Sequence, residues 1–134
     1  MSGEKTMSGE KTPNWQGQTS APTRIVLLRH GQTALSVDRR YSGRGNPELT
    51  DLGRGQAAAA GRRIAAGALG SIDAVVSSPL ARTMATAHAA ADSLGLEVRP
   101  FEGLIETDFG AWEGLTFREA AQRDPDLHRS WLGD

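Results

Sequence analysis

The amino-acid sequence predicts an α/β layered fold built on parallel strands. Two observations carry this. Short apolar, β-branched runs alternate with longer Ala-rich helical segments, in the order strand, helix, strand, helix, strand. Gly and Pro punctuate the junctions, at Gly70, Pro79 and Gly95.

The first predicted strand covers residues 23–30, with Ile25 to Leu28 as its apolar run, and leads into Arg29-His30-Gly31-Gln32-Thr33. In an open α/β sheet, ligands bind beyond the carboxyl ends of the strands. Arg offers a planar fork of donors for phosphate oxygens, and an imidazole can serve as a covalent nucleophile. Taken alone, Arg29 and His30 read rather as ordinary polar residues at a strand end, and it is the rest of the chain that changes the weighing. Residues 31–49 hold no long periodic run. Tyr41 to Pro47 is rich in turn formers, which suits a pocket wall or a plain surface connection.

Thr50 is a plausible N-cap, and Gln56 to Leu69 reads as an Ala-rich helix whose Arg62 and Arg63 form a solvated face. Ile72 to Val76 is the second strand. Ser78 as N-cap and Pro79 at the first helical position then predict a helix running to Leu94, stopped by Gly95. Leu80, Met84, Ala87, Ala91 and Leu94 recur at helical spacing as its buried face, and His88 adjoins that stripe as an ordinary helix residue. Leu96 to Val98 is the third strand. Arg82 falls in the first turn of a helix that begins at a strand's carboxyl end, where helix N-terminus and guanidinium both attract an anion. Arg29, His30 and Arg82 are therefore expected to converge on one crevice.

Residues 104–114 carry Glu106, Asp108 and Glu113 among aromatics and glycines, too irregular for a standard element. Thr116 and Glu119 form a capping box for a helix from Phe117, and Asp124-Pro125 opens another through Trp131, with His128 on its surface. The chain then stops without a closing strand. Residues 1–22 read as a flexible leader or linker: Met-Ser-Gly-Glu-Lys-Thr occurs at 1–6 and again at 7–12, and Trp15 is the only large apolar side chain after it.

The composition agrees with about one domain: 134 residues, 38% hydrophobic and 23% charged. A formal net charge of −1 gives no global field for nucleic acid or anionic membrane. Absence of cysteine excludes disulfides, thiolate metal sites and Cys nucleophiles. No apolar stretch approaches the ~20 residues of a membrane span, and no signal core is seen, so the cytoplasm is the default expectation.

Four ordered motifs then resemble the histidine phosphatase, or phosphoglycerate mutase-like, superfamily. They are Arg29-His30-Gly31-Gln32-Thr33; Tyr41-Ser42-Gly43 with Leu49-Thr50-Asp51-Leu52-Gly53; Ser77-Ser78-Pro79-Leu80-Ala81-Arg82-Thr83; and Leu104-Ile105-Glu106 with Phe109-Gly110 and Trp112-Glu113-Gly114. The loop and acid segments look most like the phosphatase half of actinobacterial proteins that fuse ribonuclease H to an acid phosphatase. The resemblance implies a three-layer α/β/α fold with a mostly parallel central sheet over residues 23–134, incomplete at its C-terminus. It implies a phosphomonoester hydrolase acting on a small phosphorylated metabolite through a phosphohistidine. His30 would be the nucleophile and Glu106 the general acid and base, with Asp108 and Glu113 as rival carboxylates. Arg29 and Arg82 would clamp the phosphate. Gln32, Ser36, Ser42 and Gly43 would line the substrate side, with no metal or other cofactor required. The acid is expected to be partly buried beside Phe109 or Trp112.

Two departures stand out. Ser36 occupies a position where the family often has Asn, and the family's second pocket histidine has no counterpart, since only His88 and His128 follow His30. Losing one preorganised donor can cost about 100- to 1000-fold in rate. A chain lacking the late strand is expected to be poorly stable and weakly active. A phosphoglycerate mutase-type phosphotransferase and a non-catalytic phosphate-binding remnant are the alternatives. No pattern speaks to oligomeric state.

Overall fold

The computed structural model describes Gly17 and residues 20–133; most of the expected leader lies outside the described residues. The elements are α1 (Ala34–Val37), α2 (Asp51–Ala65), β1 (Val75–Ser77), α3 (Ala81–Leu94), β2 (Val98–Pro100), α4 (Phe117–Arg123) and α5 (Pro125–Gly133). Two single 3₁₀ turns, Glu102–Leu104 and Gly110–Trp112, lie between β2 and α4.

Among the described residues the sheet is one parallel pair, β1 with β2, in the register Val75↔Val98, Val76↔Arg99 and Ser77↔Pro100. The parallel pairing across α3 agrees with the predicted α/β class. The first predicted strand is a correction. Residues 23–30 form no ladder, and Ile25 and Leu27 are 75% and 91% exposed. An apolar β-branched run supplies strand propensity but not a partner, and pairing is what makes a strand. Val26, Leu27 and Leu28 instead line one side of a cavity of about 310 Å³, whose other side includes Val75, Val76 and Ile64.

The helices hold closer to expectation, with shifted ends. α2 starts directly after Thr50, whose hydroxyl accepts from the Gly53 N–H, so the N-cap is as predicted but the helix begins and ends several residues earlier. Arg62 and Arg63 are exposed. α2 packs on α3, with Gly61 facing the Ala89 carbonyl. On α3, Ala87 and Ala91 are buried as predicted, together with Arg82, Thr86 and Ala90; Leu80, Met84 and Leu94 are half-buried. Gly95 closes α3 in the left-handed region at φ 70°, a conformation that a side chain would resist. The Leu96 N–H is then spent on the Ala91 carbonyl at 2.9 Å, which is why β2 begins two residues later than predicted.

The N-cap at Ser78 is a second correction. α3 begins at Ala81, and the Ser78 hydroxyl bonds to Thr83 instead. The Ala81 N–H donates to Asn46 Oδ1 at 2.7 Å, so the cap comes from a loop far away in sequence.

The Thr116–Glu119 capping box forms as predicted, and Pro125 opens α5. His128 is the third correction, being 5% exposed rather than on the surface. Its Nε2 lies 2.8 Å from the Tyr41 hydroxyl, and its ring stands edge-on to Trp112. Tyr41, Trp112 and Ala120 form the small core that holds α4 and α5 against the rest, with Phe109 and Leu115 packed on it.

Candidate functional site

Loop 42–46 brings together some of the predicted site residues: Ser42 and Gly43, which belong to it, Arg82, and the backbone of Glu106. Arg82 reaches it from the first turn of α3. Its Nη1 donates to the Gly45 carbonyl at 2.7 Å, and its Nη2 to the carbonyls of Ser42 and Gly43 at 2.6 and 2.9 Å. The residue is only 2% exposed. Burial pushes its guanidinium below the ordinary arginine value, against the opposing pull of the Glu106 and Glu113 charges. The Arg82 Nε is buried without a hydrogen-bond partner among the described residues.

The same loop offers its N–H groups to Glu113. Arg44 N–H donates to Glu113 Oε2 at 2.9 Å, and Gly45 N–H to Oε1 at 3.1 Å. Phe109 N–H also donates to Oε2, at 3.1 Å. Burial pushes the Glu113 carboxyl up, but these three N–H donors outweigh it and hold the group below the usual glutamate range. Gly43 is buried where the loop abuts the Glu106 segment. A Cβ there would strike the Thr107 carbonyl oxygen and come within 2.7 Å of the Phe109 ring, so this close approach requires glycine.

His30 is half-buried and lines the 310 Å³ cavity with Ser78, Thr83, Thr86 and Leu104. Its Nδ1 lies 2.7 Å from the Gly31 carbonyl oxygen. A carbonyl only accepts, so Nδ1 carries the proton, and in the neutral ring Nε2 bears the lone pair. The next N–H, that of Gly31, donates to Thr86 Oγ1 at 3.1 Å, and Thr86 in turn donates to the Arg82 carbonyl at 2.9 Å. The His30 segment is thus moored to the first turns of α3.

The remaining predicted residues are less gathered. Glu106 is exposed, with its carboxylate turned to the Thr107 N–H at 2.9 Å. It is not buried beside Phe109 or Trp112, whose rings pack on Tyr41. Its backbone carbonyl accepts from Arg44 Nε at 3.1 Å, and its charge bears on Arg82. Arg29 is exposed and makes no hydrogen bond or ion pair among the described residues. The Gln32 carboxamide accepts from Thr50 Oγ1 at 2.9 Å, and the Gln32 N–H donates to Gln56 Oε1, also at 2.9 Å. The Ser36 hydroxyl completes the α1 capping box with Thr33. Asp108 accepts from the Gly110 N–H at 2.9 Å. No group of three or more His, Asp or Glu that could hold a metal ion occurs among the described residues.

Sequence reasoning did not find Asn46, Arg44 or the bracing function of Glu113. Their partners are backbone groups brought close by folding, and no local spacing signals them.

The sequence matches one protein family. The profile of the histidine phosphatase superfamily (branch 1) matches residues 25–134. The chain belongs to this superfamily. A bifunctional protein of Mycobacterium tuberculosis, Rv2228c, is 58% identical over 123 residues, which are 92% of this chain and 33% of that protein. An acid phosphatase of the same organism is 43% identical over 111 residues, 81% of this chain and 50% of that one. The solved structure of mycobacterial glucosyl-3-phosphoglycerate phosphatase in complex with VO3 superposes with a TM-score of 0.70 at 38% identity, covering 78% of this chain and 50% of that one. This histidine phosphatase chain therefore spans from a third to half the length of these relatives. The likeness in fold supports the phosphoglycerate mutase-like α/β class. Among the described residues no helix is long and apolar enough to cross a membrane.

Proposed function

We propose that the chain carries the phosphate-binding and nucleophilic part of a phosphomonoester hydrolase that works through a phosphohistidine on His30. The observation that carries this reading is the contact from His30 Nδ1 to the Gly31 carbonyl, which leaves the Nε2 lone pair for attack. The family membership and the phosphatases among the relatives support the same reading. So does the buried, unpartnered Nε of Arg82, a donor that a phosphate oxygen would satisfy.

In the first half-reaction Nε2 attacks phosphorus and the P–O bond to the alcohol breaks. Glu106, protonated, gives its proton to the leaving oxygen. In the second, water attacks the phosphohistidine, ionised Glu106 takes its proton, and the N–P bond breaks to release phosphate and neutral imidazole. Arg82 neutralises charge on the transferring group, and Arg29, free of other partners among the described residues, turns in to join it. The substrate is a small phosphorylated metabolite, and the relatives' names span more than one such substrate.

A second reading, phosphate binding without turnover, is favoured by the exposure of both Arg29 and Glu106 and by the three Arg82 hydrogen bonds already given to the loop. One experiment separates the two. The chain is mixed with radiolabelled phosphomonoester, quenched in alkali and digested. Acid-labile label on the His30 peptide, lost in His30→Ala, is the expected result. Bound phosphate with no label on any histidine leaves only the second reading.

A further inference from the structure

Glu113 lies outside the phosphoryl-transfer steps above, yet it is the carboxylate with the most hydrogen bonds in the region. Its two oxygens accept from three backbone N–H groups in two separate segments: Arg44 and Gly45 in loop 42–46, and Phe109 in the segment that carries Glu106. Arg82 holds the carbonyls of the same loop from the other side. Gly43 meets the Thr107 carbonyl between these two anchors, one residue from Glu106. The Arg44 side chain adds a bond to the Glu106 carbonyl.

We propose that Glu113 is a positioning residue: it locks the Arg82-held loop to the Glu106 segment, and so sets where the acid stands relative to the bound phosphate. This rests on the hydrolase reading for its catalytic consequence, though not for the lock itself. A single oxygen in the place of Oε2 would still bridge Arg44 and Phe109, so a Gln could keep the two segments joined. An alanine offers no acceptor, and all three N–H groups lose their partner. Glu106 would then be displaced while Arg82 and His30 keep their places. A misplacement of about 1 Å can cost about 100-fold in rate.

A general acid matters most for a poor leaving group, and this separates positioning from simple loss of folded enzyme. The test compares the unmodified chain, Glu113→Ala and Glu119→Ala, a control that removes an exposed capping carboxylate. Each is assayed with glycerol 2-phosphate, whose alcohol leaves poorly, and with p-nitrophenyl phosphate, whose phenol leaves readily. Glu113→Ala is expected to lower kcat on glycerol 2-phosphate by about 100-fold, with a much smaller fall on p-nitrophenyl phosphate and little change in KM. Amide hydrogen exchange provides a second measurement that needs no turnover: Arg44, Gly45 and Phe109 should lose protection together in Glu113→Ala and keep it in Glu119→Ala. An equal fall on both substrates, or unchanged kinetics, overturns the positioning role. Unchanged protection at those amides overturns the lock. If the unmodified chain turns over neither substrate, the hydrolase reading fails and the catalytic half of this proposal fails with it, while exchange still decides the lock.

Discussion

At the scale of single residues, loop 42–46 shows how two opposite charges can share one stretch of backbone. Arg82 takes its carbonyls and Glu113 its N–H groups, so each charge is hydrogen-bonded by peptide groups while the Glu113 charge still acts on Arg82 across the loop. This division sets a pH dependence. The Glu113 carboxyl is held below the usual glutamate range in the folded chain, so the unfolded chain binds its proton first as pH falls. Its contribution to stability is full above the unfolded value, near 4.5, and is lost as pH drops through the folded value. Denaturant midpoints measured from pH 6 downward should fall on acidification, and the slope should be shallower in Glu113→Gln. An unchanged slope would count against the charge-assisted bonds. Glu119, lowered chiefly by the Thr116 N–H, contributes to the slope in the same sense. The sequence marked Arg82 as an anion-handling residue because its place in a helix's first turn is a local property. It could not show that three carbonyls would take most of its donors, because those carbonyls come from residues 42–45.

At the scale of elements, what was readable in the sequence was what the chain decides locally. Thr50, Gly95, the Thr116–Glu119 box and Pro125 each act within a few residues, and each ends or begins a helix as predicted. Ser78-Pro79 carries an equally good start signal, yet α3 is capped by Asn46, a contact that exists only after folding. The run 25–28 failed as a strand for the same reason, since no partner backbone lies beside it among the described residues. His128 was misjudged because Leu127-His128-Arg129 looks polar in sequence, while its buried neighbour Tyr41 is remote. Thr50 does two jobs, capping α2 and bonding the Gln32 side chain that follows His30-Gly31. Thr50→Ala should therefore cost about 1 kcal/mol, as lost N-caps do, measured as a drop in denaturant midpoint. A change within error would show that the cap contributes nothing here.

At the scale of the whole molecule, burial is uneven. The Tyr41–Trp112–Ala120 cluster and the α2–α3 contact are closed, whereas Ile25, Leu27 and Val76 are 75%, 91% and 51% exposed beside a two-stranded sheet. Apolar surface in a contiguous patch seeks cover, and a two-stranded sheet is marginal without it. The 134-residue chain should bind a hydrophobic dye such as ANS and melt broadly, with concentration-dependent association. A sharp melt with no dye binding would show that the patch is covered in solution. The fold class was legible because alternation of strand and helix is predicted over residues 23–98, most of the predicted domain. How much of the sheet forms was not, because that depends on which backbones meet.

The doubly held loop also fixes where the chain can accept new length. An extra residue between Ser42 and Asn46 would pull carbonyls from Arg82, N–H groups from Glu113, or the α3 cap from Ala81, and nothing nearby could replace them. The turn after α2 is different. Gly67 is exposed and nothing packs on it, so residues can be added beside it while the glycine, at φ 88°, is kept. A tag or reporter grafted there leaves loop 42–46 untouched, and homologous chains can be expected to vary in length at that turn while keeping the count of residues from Ser42 to Asn46 fixed.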